Sequence, residues 1–312
     1  KMKNKLVSIA MATYNGEKYL KEQLDSIYAQ TYKNIEVIVC DDCSSDKTVE
    51  ILDEYKEKYG LKYYINEKNL GFKKNFEKAM SLCQGDYIAL SDQDDIWIES
   101  KIELLVKKIG DSSLIHSACS LIDENSKVIS SLWIKQDDFK YSFAKFIFGN
   151  TVTGCTVLLK KELLKDAFPI PTGEKYHDWW LALLATKMNG IVYYDKALVK
   201  YRQHSTQDTG AYVDSLFLKI ARYYKSFFNK KDSKRYSTAN QQLVRLNSFI
   251  DERTDIFNQL ELKVIQDAIS YQENYINNFF HFKNFVVSLK YHNEMYPFDK
   301  FYFKSIFRDL VG

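Results

Sequence analysis

The sequence predicts an α/β fold: a mostly parallel sheet with helices on both faces, followed by a C-terminal helical appendage. Three observations carry that reading. Near-continuous apolar runs alternate with amphipathic runs through the first 100 residues, the pattern of strands buried on both faces and joined by crossover helices. The runs that read as strands end in small polar and acidic residues, "TYN", "CDD" and "SDQDD". The alternation stops near Ser205, and residues 212–310 carry mostly helical periodicity with almost no Gly.

The elements follow in order. "KLVSIAMATYN" (Lys5 to Asn15) reads as a buried strand entering a polar loop, and "EKYLKEQLDSIYAQ" as a helix with a stripe at Leu20, Leu24 and Ile27. "NIEVIVCDD" is a second strand. "SSDKTVEILDEYKEKYG" starts on the cap residues Ser44, Ser45 and Asp46 and stops at Gly60. "LKYYIN" is a third strand, "KKNFEKAMSLCQG" a helix with a glycine stop, "DYIALSD" a fourth strand and "IWIESKIELL" a helix. Further on, "LIHSACSLID" and "GCTVLLKK" read as strands, "HDWWLALLATKMNG" as a helix, and "IVYYD" and "ALVKYRQH" as two short strands. At roughly 150 residues per domain, 312 residues make two units. The boundary is placed at 205, giving an α/β domain over 1–205 and a helical region over 206–312.

Hydrophobic content of 46% and charge of 27% fit a globular protein, and a net charge of +3 is too small to argue for nucleic acid. The 23 Tyr and 20 Phe suit cores first and sugar stacking second. Five cysteines with one C-x-x-C at Cys40 and Cys43 do not make a zinc site and fit a reduced, cytoplasmic protein. No signal-peptide pattern and no run of 18 apolar residues occurs, so the expectation is a chain without a membrane span.

In parallel sheets, ligands bind beyond the carboxyl ends of the strands, and here those ends carry carboxylates. Asp92, Asp94 and Asp95 crowd into one strand end. Such spacing suits a hard divalent cation, Mn²⁺ or Mg²⁺, which takes oxygen ligands and would relieve the repulsion between the acids. The competing reading is a solvated acidic loop.

The segment "VSIAMATYNGEKYLKEQLDSIYAQTYKNIEVIVCDDCSSDKT" closely resembles the opening of family-two glycosyltransferases, which have a GT-A (Rossmann-like) fold. "NLGFKKNFEKAM", "GDYIALSDQDDIW", "NTVTGCTVLL", "HDWWLALLA" and "YRQH" follow in that family's order over residues 5 to 205. "SDQDDIW", "HDWW" and "YRQH" look most like the bacterial rhamnosyltransferase branch, which builds surface polysaccharide.

The resemblance implies roles. Thr13, Tyr14 and Asn15 frame the nucleobase, and Asp42 accepts a hydrogen bond from a pyrimidine N–H. Gly71, Lys74 and Asn75 approach the phosphates at a helix start. Asp92, with Gln93 beside it, contacts the ribose or sugar. Asp94 is the principal metal ligand, and Asp95 is a second ligand or a helix cap. His204 ligates the metal or touches the diphosphate, and Arg202 pairs with a phosphate. Asp178 is the catalytic base. Thr153, Gly154, His177, Trp179 and Trp180 face acceptor or sugar, with at least one Trp in the core and His177 also able to meet a phosphate.

These roles predict an inverting, metal-dependent transfer of a sugar from a nucleotide donor to a glycan or lipid-linked acceptor in bacterial cell-surface polysaccharide synthesis. The expected donor is dTDP-β-L-rhamnose. A UDP-hexose (galactose, glucose or an N-acetylhexosamine) is the alternative within the class. A sugar nucleotidyltransferase would want a glycine-rich, basic loop after the first strand, and "MATYNGEKYL" has one Gly. A non-catalytic sugar-binding module would not need Asp94 and Asp178. In the tail, "ARYYKSFFNKKDSKRYS" is basic and aromatic, and "YINNFFHFKNFVVSLKYH" aromatic and mildly basic. Peripheral contact with an anionic inner membrane face, packing on the catalytic domain and a homodimer are the three uses such faces suit.

Overall fold

The computed structural model describes residues 5–133, 141–204, 233–276, 282–291 and 295. The chain divides into two compact units. One comprises Lys1–Tyr141, Thr151–Ile170 and Tyr176–Gly210; the other comprises Ser142–Asn150, Pro171–Lys175 and Ala211–Gly312. Two short segments from within the first 205 residues therefore belong to the second unit.

The first unit is built on nine strands: β1 (Val7–Thr13), β2 (Ile35–Asp41), β3 (Lys62–Ile65), β4 (Tyr87–Ser91), β5 (Ile96–Trp97), β6 (Leu114–Ile122), β7 (Val128–Trp133), β8 (Val157–Lys160) and β9 (Ile191–Arg202). Their order is β3-β2-β1-β4-β8-β6-β9-β5, with β7 paired to β6. β3, β2, β1, β4, β6 and β9 run one way, and β8, β5 and β7 run against them. β1 lies between two parallel neighbours, and Val7, Ile9, Ala10 and Met11 are wholly buried. A strand covered on both faces reads as an unbroken apolar run for that reason.

Six helices join these strands: α1 (Leu20–Tyr28), α2 (Thr48–Tyr59), α3 (Phe72–Leu82), α4 (Lys101–Lys108), α5 (Phe143–Phe148, in the second unit) and α6 (His177–Lys187). Gly60 ends α2 in the left-handed conformation at φ 74°, as the glycine stop predicts. α6 is apolar on all sides and buries Trp180 to Ala185, the mark of a helix inside a core.

The structure differs from the sequence reading at three places. "IWIESKIELL" is not one helix: Ile96–Trp97 pairs antiparallel with β9, Ile98 N–H donates to Leu198 O, and α4 starts at Lys101. The unpaired edge of β9 overrides the local helical preference, so Asp95 caps no helix. "IVYYD" and "ALVKYRQH" form the single strand β9, with a register shift at exposed Asp195 and Lys196 where the sequence seemed to break. The "GCT" of "GCTVLLKK" is a 3₁₀ turn (Gly154–Thr156) ahead of β8. β7 and α5 had no distinct sequence signal.

The second unit adds α7 (Ser233–Arg253), α8 (Gln259–Ile276) and α9 (Phe282–Lys290). Its core includes a buried ion pair, Arg245 Nε to Glu174 Oε2 at 2.6 Å, with Arg245 also donating to Phe146 O and Ile147 O. The basic stretch from Arg222 to Lys231 lies outside the described residues. Among the described residues, no helix is long and apolar enough to cross a membrane.

Candidate active site

Parallel pairing sets Thr13 beside Asp41 and Met11 beside Ser91, so the loops after β1, β2 and β4 open at one edge of the sheet. Thr13 Oγ1 donates to Asp41 Oδ1 at 2.8 Å, and Ser44 bonds both oxygens of that carboxylate. Asp41 thereby braces the loop.

Asp42, 2% exposed, also takes three hydrogen bonds. Oδ1 accepts from Asn66 Nδ2 and Leu70 N, and Oδ2 accepts from Gly71 N at 2.8 Å. A carboxylate accepts about four hydrogen bonds, so one lone pair on Oδ2 stays uncommitted to these three donors. Gly71 sits at φ 78°, which only glycine adopts without strain, and that conformation aims its N–H at Asp42.

Tyr14 is 51% exposed at the end of β1, and Gln93 clamps it: Gln93 Oε1 accepts from Tyr14 N at 2.9 Å and Gln93 Nε2 donates to Tyr14 O at 3.0 Å. Gly16 makes that clamp possible, because a Cβ there would lie 2.4 Å from Gln93 Oε1. Asn15 Oδ1 accepts from Ser45 N and ties the β1 loop to the start of α2.

The acid cluster follows β4. Asp94 Oδ2 and His204 Nε2 meet at 2.7 Å, each side chain 12% exposed. Asp95 is wholly buried; Oδ1 accepts from Arg202 N, and Oδ2 has no hydrogen-bond partner among the described residues. Burial first, then the charges of Asp94 and Asp92, push the Asp95 carboxyl well above its usual range. Asp92 is pushed up to about 7 by burial and by Asp94 and Asp178, while Lys101 pulls it down. Asp92 thus feels both the Asp94 end of the cluster and Asp178.

Two groupings here could hold a cation. Asp92, Asp95 and Cys155 bring one ligand atom each within 4.8 Å of one another. Burial raises the Cys155 thiol well above its usual value, so it stays neutral, and Lys101 Nζ already donates to the Cys155 carbonyl. Asp94 with His204 offers an oxygen and a nitrogen 2.7 Å apart instead, and a hard divalent ion fits that pair better.

Asp178 stands in the first turn of α6. Its Oδ2 accepts from Gly154 N at 3.0 Å and its Oδ1 from Trp179 N at 2.8 Å. His177 is 7% exposed, stacks on Phe76 with ring centroids 4.0 Å apart, and has no hydrogen-bond partner on either ring nitrogen among the described residues. Burial lowers its pKa to about 3, so the ring is neutral and suits a hydroxyl rather than a phosphate. Thr153 O accepts from Thr156 N and Oγ1 within the same turn.

Three predicted contacts are corrected. Arg202 is wholly buried: Nε donates to Asp94 O, Nη1 to Asp123 O and Ser126 Oγ, and Nη2 to Glu22. It braces the acid loop rather than offering its guanidinium to a phosphate. Asn75 is buried, donates to Cys40 O and accepts from Asn66, which fastens α3 to the sheet. Trp180 is wholly buried with Nε1 on Ala167 O, a core residue; Trp179 is half-buried. Lys74 pairs with Glu77 at 3.0 Å and stays 40% exposed. The sequence reading missed Gly16 and Lys101, which carry no motif of their own.

Residues 8–168 match the family described as glycosyl transferase family 2. The chain belongs to that family, and its mixed sheet is the GT-A fold. The dTDP-rhamnosyl transferase RfbG of Shigella flexneri is 32% identical over 219 residues, 64% of this chain and 74% of that protein. The UDP-Glc:alpha-D-GlcNAc-diphosphoundecaprenol beta-1,3-glucosyltransferase WfgD of Escherichia coli is 33% identical over 194 residues, 61% of this chain and 74% of that protein. The structure of S. aureus TarS 1-349 in complex with UDP-GlcNAc is similar in fold, with a TM-score of 0.60 at 19% identity, over 98% of this chain and 81% of that one.

Proposed function

We propose that this glycosyltransferase inverts the anomeric centre, depends on Mn²⁺ or Mg²⁺, and moves L-rhamnose from dTDP-β-L-rhamnose to a hydroxyl of a glycan or lipid-linked acceptor. The observation that supports the reading is the pairing of Asp94 Oδ2 with His204 Nε2 at 2.7 Å, in a cluster whose Asp92 is within electrostatic reach of both Asp94 and Asp178.

Tyr14 lies against the nucleobase, and the open lone pair of Asp42 Oδ2 takes the pyrimidine N–H. Asp94 and His204 hold the cation, which when bound stabilises the charge that develops on the departing nucleoside diphosphate. Asp178 takes the acceptor proton as that oxygen attacks the anomeric carbon, and Gly154 N–H keeps the carboxylate aimed. A single base suffices for inversion, and a β-linked donor then gives an α-linked product. The neutral His177 ring, with Thr153 and half-buried Trp179, meets sugar hydroxyls.

Support for rhamnose comes from "SDQDDIW", "HDWW" and "YRQH" and from the similarity to RfbG. The comparable similarity to WfgD favours a second reading, a UDP-hexose donor in the same site. Residues 1–205 carry the chemistry in both, and the helical region serves acceptor, membrane or self-association at the inner membrane face. A transfer assay with dTDP-β-L-rhamnose, UDP-glucose, UDP-galactose and UDP-GlcNAc, each with lipid-linked acceptors, tests the choice. Turnover with a UDP-hexose alone would discard rhamnose and keep the class.

A further inference from the structure

We propose that Lys101 is a positioning residue for the base: it grips the 3₁₀ turn that aims Asp178. The inference rests on the reading of Asp178 as base.

Lys101 is the first residue of α4 and is wholly buried. A cation there meets two penalties, loss of water and the unfavourable end of the helix dipole. Its surroundings offset both. Nζ donates to Cys155 O at 2.6 Å and lies 3.3 Å from the centroid of the Trp97 ring. Burial pulls the ammonium down to about 7 while Cys155, Asp95, Asp92 and Cys119 hold it up.

Cys155 follows Gly154, whose N–H donates to Asp178 Oδ2 at 3.0 Å. One short turn is therefore held at a carbonyl by Lys101 and at an amide by the base. The turn is closely packed: a Cβ on Gly154 would stand 3.3 Å from His177 Nε2, tighter than ordinary contact. A misplacement of about 1 Å in such a site costs on the order of 100-fold in rate.

The test uses the full chain with Lys101→Met, which removes the charge and the donor, and Lys101→Gln, which keeps an N–H donor without charge. Asp178→Asn runs in parallel. Nucleoside diphosphate binding with Mn²⁺ is read by thermal shift, transfer by kcat and donor KM, and the mobility of residues 151–157 by hydrogen exchange. The expected result for Lys101→Met is binding within about threefold of the parent, kcat lower by roughly 10- to 100-fold at unchanged donor KM, and faster exchange in the turn. Lys101→Gln should fall between the two, and it decides by the same readings if the Met variant does not fold. Unchanged kcat and exchange in a folded variant, or binding and kcat falling in parallel, would overturn the inference. An Asp178→Asn enzyme at full activity would instead overturn the base assignment, whatever Lys101 does.

Discussion

His204 Nε2 and Asp94 Oδ2 meet at 2.7 Å across 110 residues of sequence. The contact joins the end of β9 to the loop after β4 and sets an imidazole and a carboxylate side by side. If the pair holds the divalent ion, thermal stabilisation by dTDP or UDP requires Mn²⁺ and disappears in Asp94→Ala and in His204→Ala. A ligand present at 100 times its Kd stabilises by about 2.7 kcal/mol, which thermal shift resolves easily. Metal-dependent stabilisation that survives both variants would move the ion to another grouping.

Asp178→Asn keeps the shape of the side chain and one acceptor oxygen for Gly154 N–H, gives up the bond from Trp179 N–H, and cannot take a proton. Transfer should fall by about 10²- to 10⁴-fold, with metal-dependent nucleotide binding unchanged. Steady-state rates beside a nucleotide titration check both halves of the expectation.

The Asp92 carboxyl is raised to about 7 in the fold, from an ordinary value of 3.8. A raised carboxylate binds more protons folded than unfolded, so it lowers stability as pH climbs from about 4 to about 7. Asp92→Asn should therefore match the parent at pH 4 and exceed it at pH 8 in metal-free buffer. The shift from 3.8 to about 7 is worth up to about 4 kcal/mol, so the gain expected in Tm is up to about 10 °C. Equal melting temperatures at pH 8 would contradict the crowding of the acids.

Gly16→Ala would put a methyl group against Gln93 Oε1. The glutamine can swing away, so the fold should survive, but Tyr14 then loses both bonds of its clamp. Nucleotide affinity should drop by roughly tenfold, the scale of about 1.4 kcal/mol, with Tm nearly unchanged. Calorimetric titration with the nucleoside diphosphate and Mn²⁺ measures it.

Arg245 and Glu174 form a buried pair in the second unit, with side chains 4% and 0% exposed. Arg245→Met strands a buried carboxylate and should cost about 3–5 kcal/mol in urea denaturation. Replacing both residues with Met should recover most of that loss, because the pair's own net worth is small.

How much of the site was legible depends on where its information lies. Thr13, Asp42, Asp92 and Asp94 stand at or just past the ends of apolar runs, and a parallel sheet gathers such ends at one edge. Period and spacing are local, so the strands and the acid-lined edge could be read from the chain. Arg202 and Asn75 were misassigned, and which of Trp179 and Trp180 is the core residue stayed open, because the same residue type serves a ligand or a core equally well. Only the Asp94, Cys40 and Ala167 carbonyls that meet them show which.

The sequence by itself determined the alternation of strand and helix, the acidic strand ends and the ordered motifs that place the chain in its family. Those properties follow from side-chain period and local turn chemistry. The tertiary structure alone decided that Ile96 and Trp97 join β9, that Arg202 turns inward, and that Lys101 reaches Cys155 beside the turn holding Asp178. Hydrogen-bond partners 54 or 110 residues apart are chosen by how the sheet brings its edges together, and no local pattern of residues records that choice.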